Sequence, residues 1–166
     1  MIPILRAKVL NSYRSKTPKG FYSKLRGHSG VDLKYNYVDI PSPITGHVLA
    51  IKTQTQMGKV LYLIDTLGSC HVFAHLETLY CKVGDKIIRN QIVAKSGNSG
   101  SITTNPHLHY EILLKEPESI WLRIMYRPEL AGVFKGYNTD PLKYLSKLYF
   151  KYNVNLDGIA ITQENL

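Results

Sequence analysis

The chain has few cysteines, few acidic side chains and no long apolar run. Its 166 residues include two Cys, one Trp and 12 Asp plus Glu. Cys70 and Cys81 form no CxxC pair, which excludes a four-cysteine zinc site, and we expect two packed small side chains rather than a disulfide. A transmembrane helix would need about 18 consecutive apolar residues, and the sequence has no such run. These absences predict a globular domain without a membrane span.

Basic residues outnumber acidic ones, and this excess favours acidic partners. The chain carries 21 Lys and Arg, which gives a net charge of +9. Such a charge attracts polyanions and speeds encounters with acidic surfaces at low salt. The sequence has no helix-turn-helix, finger or aromatic RNA-binding motif, so bacterial wall polymers are as natural a partner as nucleic acid. The charge by itself leaves both partners open.

Apolar runs separated by glycine predict an all-β domain. The chain is 44% hydrophobic and 20% charged, as is typical of a single globular domain. Beyond residue 46, short segments alternate apolar and polar positions, and glycines lie where turns are expected. The predicted strands cover residues 46–53, 59–65, 70–75, 86–88, 91–96 and 107–114.

One helix is predicted near the C-terminal end. Asp140 suits an N-cap and Pro141 suits the first helical position. Apolar side chains then recur at helical spacing, at Leu142, Leu145, Leu148 and Tyr149. Residues 1–26 show neither period and are predicted to form an irregular basic segment, while residues 115–137 fit no element.

The run from His28 to Asp32 offers the first two ligands of a candidate metal site. Its sequence is His-Ser-Gly-Val-Asp. A fully extended strand would place the two ends about 13 Å apart, so a shared ion requires a bend, which Gly30 permits. An imidazole and a carboxylate that converge in this way are ligands suited to zinc.

A second run, Pro-His-Leu-His-Tyr-Glu over residues 106–111, adds two more imidazoles. On a strand, His107, His109 and Glu111 project from the same face while Leu108 points into the core. Neighbouring imidazoles on a buried face need partners for their polar nitrogens. A metal ion with hydrogen-bonding neighbours would satisfy that need.

The motifs HSGVD, FAHLE and NPHLHYE, in this order, resemble the three signatures of lysostaphin-type zinc endopeptidases, which cut peptidoglycan. Four supporting segments match the same family: PITGHV at 43–48, VGDK at 83–86, GNSG at 97–100 and DPL at 140–142. The resemblance covers about residues 27–114 and 139–145. Residues 101–105 depart from the small-residue pattern of the family, which would alter one wall of the cleft.

The resemblance implies that His28, Asp32 and His109 bind zinc and that His75 and His107 form the catalytic pair. Three protein ligands leave the fourth coordination position open for water, as in catalytic zinc sites. One imidazole would serve as the general base and the other would stabilise the oxyanion, with the order left open.

Other polar residues receive minor roles or none. Glu111 is expected to orient a ligating imidazole. His47 and His71 fall outside the matching positions and are expected at the surface or in turns. Asp65, Glu77 and Asp85 are expected to be solvated turn charges.

The fold that the resemblance implies is mainly β. We expect an antiparallel β-sheet sandwich or groove, preceded by the irregular segment and followed by one helix. Residues 1–166 would form a single domain with a core at about 27–145. Residues 115–137 would be an insertion that serves specificity or docks onto a larger assembly such as a phage particle.

The function expected from the resemblance is zinc-dependent hydrolysis of peptide bonds in peptidoglycan, with no nucleic-acid partner. A non-catalytic module that binds peptidoglycan or activates amidases is the main alternative. A non-haem iron oxygenase is a weaker one, since two histidines and a carboxylate also form its ligand triad. Residues 1–8 lack the pattern of a secretory signal, so we expect a phage-delivered protein or a processed fragment of an exported one, acting at the bacterial cell wall.

Overall fold

A computed structural model describes residues 3–16, 27–114 and 138–151. These residues form a 3-10 helix at Pro3–Arg6, ten strands and one α-helix, α1, at Pro141–Lys151. The strands are β1 (Val9–Asn11), β2 (Val31–Leu33), β3 (Asp39–Pro41), β4 (Gly46–Gln54), β5 (Gly58–Asp65), β6 (Cys70–Leu79), β7 (Lys86–Ile87), β8 (Ile92–Ser96), β9 (Leu108–Leu113) and β10 (Asn138–Thr139).

The described strands join in one antiparallel sheet in the order β1-β2-β9-β6-β5-β4-β7. Strand β10 pairs with β9, and β8 pairs with both β3 and the C-terminal part of β6. Strand β9 therefore lies between β2 and β6. This order brings together three motifs that are far apart in sequence.

The centre of the sheet is buried on both faces. Along β5, Leu61 and Leu63 belong to the larger hydrophobic cluster, whereas Val60 and Tyr62 belong to a second one. Because successive side chains of a strand point to opposite faces, both faces of β5 are covered by apolar groups. The histidines of β6 and β9 thus extend from a sheet whose centre is packed on both faces.

The predicted mainly antiparallel β fold with one helix is confirmed. Each predicted strand is present, with shifted ends, and β6 continues to Leu79. Helix α1 begins as predicted, since Asp140 Oδ1 accepts hydrogen bonds from the backbone N–H groups of Leu142 and Lys143. Leu145 of α1 is fully buried in the larger cluster.

Residues 3–16, the described part of the N-terminal segment, contain regular structure that the sequence pattern does not indicate. Within it, the 3-10 helix buries Ile4 in the core, and β1 pairs with β2. Neither element is long enough to display a hydrophobic period, which is why the pattern missed them. The predicted insertion at residues 115–137 lies outside the described residues.

Cys70 is buried, Cys81 is half-buried, and both are free thiols, as predicted. Among the described residues, no helix is long and apolar enough to cross a membrane.

Candidate metal centre

Three side chains from two motifs converge at one point of the sheet. Asp32 on β2 and His109 on β9 are paired across the two strands, and His28 lies in the turn before β2. His109 Nδ1 is 2.8 Å from Asp32 Oδ1, and His28 Nε2 is 3.2 Å from that oxygen and 3.0 Å from His109 Nδ1. All three residues are buried. Together they form a group that could hold a metal ion.

A close backbone approach makes this convergence possible. A side chain at Gly30 would place its Cβ 2.2 Å from the carbonyl oxygen of Tyr110, so only glycine lets the chain pass this close to β9. The bend expected at Gly30 is present. This bend brings His28 close to Asp32, whereas an extended strand would hold the two residues apart.

The far nitrogens of the two imidazoles determine which ring nitrogens face the site. His28 Nδ1 donates to the carbonyl oxygen of Ser12 at 3.2 Å, because a carbonyl can only accept. His109 Nε2 donates to Glu111 Oε1 at 2.7 Å. In the neutral rings, His28 Nε2 and His109 Nδ1 therefore carry lone pairs. These nitrogens and Asp32 Oδ1 face one another as candidate ligand atoms, and a cation between them would be stabilised.

The same conclusion follows from the ionisation of these groups. Burial alone would raise the pKa of Asp32, but hydrogen bonds from His107, His109 and His28 outweigh it and hold that pKa well below its usual range. Burial would likewise lower the pKa of His109, but hydrogen bonds to Asp32 and Glu111 raise it to about 9. Both shifts favour positive charge at this position. Two imidazole nitrogens and a carboxylate oxygen with such a need for positive charge fit a divalent metal ion.

Glu111 lies where the sequence placed it, behind His109. Its side chain is fully buried, and its Oε1 also accepts a hydrogen bond from the hydroxyl of Ser29. The carboxylate is thus held from the His28 side of the site as well as from β9. Such a partner fixes the tautomer and the orientation of a ligating imidazole.

Two further imidazoles lie beside the three candidate ligands. The ring centroids of His75 and His107 are 4.8 Å apart, and those of His75 and His109 are 6.0 Å apart. His107 Nε2 is 3.5 Å from Asp32 Oδ1. The structure therefore brings together all five side chains that the sequence singled out.

Backbone carbonyls fix the orientation of this second pair. His75 Nδ1 donates to the carbonyl of Ser99 at 2.8 Å, and His107 Nδ1 donates to that of Asn105 at 2.7 Å. In their neutral forms both rings therefore present Nε2 as an acceptor. Burial, reinforced by the nearby His109 imidazole, lowers the pKa of His75 to about 4, which keeps that ring neutral at pH 7.

The backbone of His75 is strained. Its φ is 60°, in the left-handed region that side chains other than glycine seldom adopt. The register of β6 against β5 shifts at this point, and a bulge of this kind redirects a side chain next to a functional site. Strain retained at a residue that faces the candidate ligands is typical of a functional position.

Comparison with known proteins bears directly on this arrangement. The model of peptidase family M23 matches residues 26–120, more than half of the chain. The chain belongs to peptidase family M23. The resemblance inferred from the three motifs is therefore confirmed, and all five clustered side chains lie within the matched region of this M23 domain.

Curated relatives of the M23 domain are distant and much longer. An uncharacterized metalloprotease of Buchnera aphidicola subsp. Baizongia pistaciae is 29% identical over 140 residues, which cover 82% of this chain and 32% of that protein. The peptidoglycan DD-endopeptidase ShyA of Vibrio cholerae is 29% identical over 90 residues, which cover 53% of this chain and 20% of that protein. The chain thus spans a third or less of the length of these relatives.

A solved structure shares the fold. The catalytic domain of the antimicrobial peptidase lysostaphin from Staphylococcus simulans superposes with a TM-score of 0.67 at 23% sequence identity. The match covers 88% of this chain and 98% of that one. The arrangement of strands in the M23 domain is therefore that of the lysostaphin catalytic domain.

Two polar residues of the M23 domain were predicted wrongly. His71 and Asp65 were expected at the surface or in a solvated turn, but both are buried. They satisfy each other, since His71 Nε2 donates to Asp65 Oδ2 at 3.1 Å, and the hydroxyl of Tyr110 donates to His71 Nδ1 at 2.6 Å. Burial becomes tolerable because each polar atom has a partner.

The sequence also gave no signal for several groups that support the site. The side chain of Asn11 and the backbone carbonyls of Ser12, Ser99 and Asn105 contact ligands or the second pair. Backbone carbonyls are present at every residue, so no residue type marks them. Asn11 contacts Asp32 across an irregular strand pairing that its surrounding sequence does not reveal.

Proposed function

We propose that this M23 domain is a zinc-dependent endopeptidase that hydrolyses peptide bonds in bacterial peptidoglycan. The observation that carries the proposal is the convergence of three lone-pair donors on one point, with two further imidazoles beside it. The three ligand atoms lie within 4.8 Å of one another, and two imidazole nitrogens with a carboxylate oxygen are a ligand set that suits zinc. The relation to ShyA, a peptidoglycan DD-endopeptidase, supports the choice of substrate.

In this proposal His28 Nε2, Asp32 Oδ1 and His109 Nδ1 hold the zinc ion. When bound by three protein ligands, zinc supplies a Lewis acid that polarises a substrate carbonyl and makes water a better nucleophile near neutral pH. Glu111 and the Ser12 carbonyl keep the two ligating rings in the tautomers that present lone pairs. The protein therefore prepares the ligand set before the ion binds.

His75 and His107 are proposed to handle the protons of the reaction. Each ring keeps its Nδ1–H bound to a backbone carbonyl, so Nε2 is the nitrogen that would accept a proton from water or donate one. A peptide hydrolase needs both actions, because the attacking water loses a proton and the departing amine gains one. Two imidazoles beside the ligands can divide these tasks.

We further propose that the protein acts at the bacterial cell wall. The net charge of +9 supports this proposal, since it favours residence on anionic wall polymers. Salt should weaken that attraction by screening.

Digestion of purified peptidoglycans tests the proposed function. The zinc-loaded chain is incubated with walls of several bacterial species, and the released fragments are identified by mass spectrometry. We expect scission of peptide bonds, and no scission by His109→Ala or in excess chelator. A zinc-loaded wild type that releases no fragment from any wall type would contradict the proposal and favour a non-catalytic peptidoglycan-binding or amidase-activating module.

A further inference from the structure

A segment before the family-matched region is attached directly to the metal centre. The match begins at residue 26, yet residues 8–15 run alongside β2 and the turn that precedes it. Backbone hydrogen bonds join Lys34 N to Lys8 O at 2.8 Å, Arg14 N to His28 O at 2.9 Å and His28 N to Ser15 O at 3.1 Å. The backbone around His28 is thus held by this segment.

The docking is close enough to require glycine at residue 27. Gly27 has a φ of +98°, and a Cβ there would lie 2.6 Å from the carbonyl oxygen of Arg14. Both the left-handed backbone and the lack of space exclude other residues without movement of the chain. The backbone of the turn that carries His28 therefore allows residues 8–15 to pack closely against it.

Two polar groups of the segment contact two of the three candidate ligands. Asn11 Nδ2 donates to Asp32 Oδ2 at 2.8 Å, and the carbonyl of Ser12 accepts from His28 Nδ1 at 3.2 Å. In each case the contact is made by the ligand atom that faces away from the site. This leaves Asp32 Oδ1 and His28 Nε2 for the metal.

We propose that residues 8–15 are part of the metal centre and that Asn11 is a positioning residue for Asp32. The amide of Asn11 fixes the rotation of the carboxylate, so that Oδ1 faces His28 and His109 while Oδ2 is occupied. Loss of the amide would free the carboxylate to rotate and to lose alignment with the two imidazoles. This inference rests on the proposed metal site and extends it to a strand that the family match does not include.

A matched pair of asparagine substitutions tests this role. Asn11→Ala removes the amide that contacts Asp32, whereas Asn36→Ala removes an amide outside the site. Asn11 and Asn36 are both exposed at the protein surface, so the folded state should tolerate either change. The zinc dissociation constant of the full chain is measured by competition with a chromophoric chelator, and the thermal midpoint of the metal-free proteins is compared as a check on folding.

We expect Asn11→Ala to weaken zinc binding by about three- to tenfold. Residues that orient metal ligands typically contribute about 10- to 100-fold, so the expected effect lies at or below the lower end of that range. Asn36→Ala should bind zinc as the wild type does. Equal affinities for all three proteins, or an equal loss in both variants, would overturn the role of Asn11.

The same titration separates this inference from the proposed function. A wild type that binds zinc but cleaves no peptidoglycan would contradict the proposed hydrolase and leave the role of Asn11 to be decided by the two variants. A wild type that binds no zinc would overturn both proposals.

Discussion

At the scale of single residues, the centre is defined by how each side chain uses its two polar atoms. His109 commits Nε2 to Glu111, His28 commits Nδ1 to Ser12, and Asp32 commits Oδ2 to Asn11. The remaining atoms face one another and need positive charge. His75 and His107 follow the same rule, since each commits Nδ1 to a carbonyl and keeps Nε2 available.

The proposed roles predict that substitutions of His75 and His107 lower turnover without loss of zinc, unlike substitutions of the ligating histidines. His75→Ala and His107→Ala should each lower kcat by about 10²- to 10⁴-fold, the usual contribution of a general acid or base. Both variants should still bind zinc, because the three ligands remain. Peptidoglycan turnover and zinc content are measured together, with His47→Ala, an exposed histidine outside the site, as the control. Wild-type turnover in both variants would refute their assignment.

At the scale of elements, the site depends on the register of β2 against β9. Asp32 pairs with His109 and Val31 with Tyr110, so a slip of one residue would turn Asp32 to the opposite face. The sequence predicted the longer strands, because β4, β5, β6 and β9 display a hydrophobic pattern. It could not predict β1, β2 or β3, since three residues are too few to show a period of two.

The contact between Gly30 and β9 gives a prediction about this register. Gly30→Ala places a methyl group against the Tyr110 carbonyl, so β2 must move away from β9. We expect a loss of about 1–3 kcal/mol in the free energy of unfolding, typical of overpacking, and weaker zinc binding.

Urea denaturation and chelator competition measure both effects, with Lys34→Ala at an exposed position as the control. A Gly30→Ala protein that matches the wild type in stability and zinc affinity would show that the close approach is unimportant.

At the scale of the whole molecule, a second buried polar network ties the sheet to the helix. Asp65 accepts hydrogen bonds from His71 on β6 and from the hydroxyl of Tyr144 on α1. The hydroxyl of Tyr110, the residue after His109 in β9, donates to the other nitrogen of His71. This network could not be predicted from the sequence, because its residues belong to four separate elements and none of them stands in a recognisable motif.

This network predicts a loss of stability in acid. Burial lowers the pKa of His71 despite the opposing effect of Asp65, and hydrogen bonds from His71 and its neighbours lower the pKa of Asp65 against the effect of burial. Unfolded His71 takes up a proton near pH 6.5 whereas the folded ring resists it, so stability falls as pH drops below about 6.5. Because the pKa of Asp65 is lowered in the folded protein, protonation of this carboxylate at still lower pH reduces stability further.

The variant His71→Phe tests this prediction in urea denaturation of the metal-free proteins from pH 8 to pH 5. It should be less stable at pH 8 by about 1–3 kcal/mol, because buried partners lose their hydrogen bonds. Its free energy of unfolding should also fall less between pH 8 and pH 5 than that of the wild type. Parallel pH profiles for wild type and variant would contradict the role of His71.

The zinc content of the purified full chain is the decisive measurement for the proposed metal site. We expect about one zinc ion per chain, as for a site with a single set of three ligands. That zinc should be lost in His109→Ala and retained in His47→Ala and His75→Ala. A wild type without zinc, or a His109→Ala protein that retains the full amount, would contradict the account.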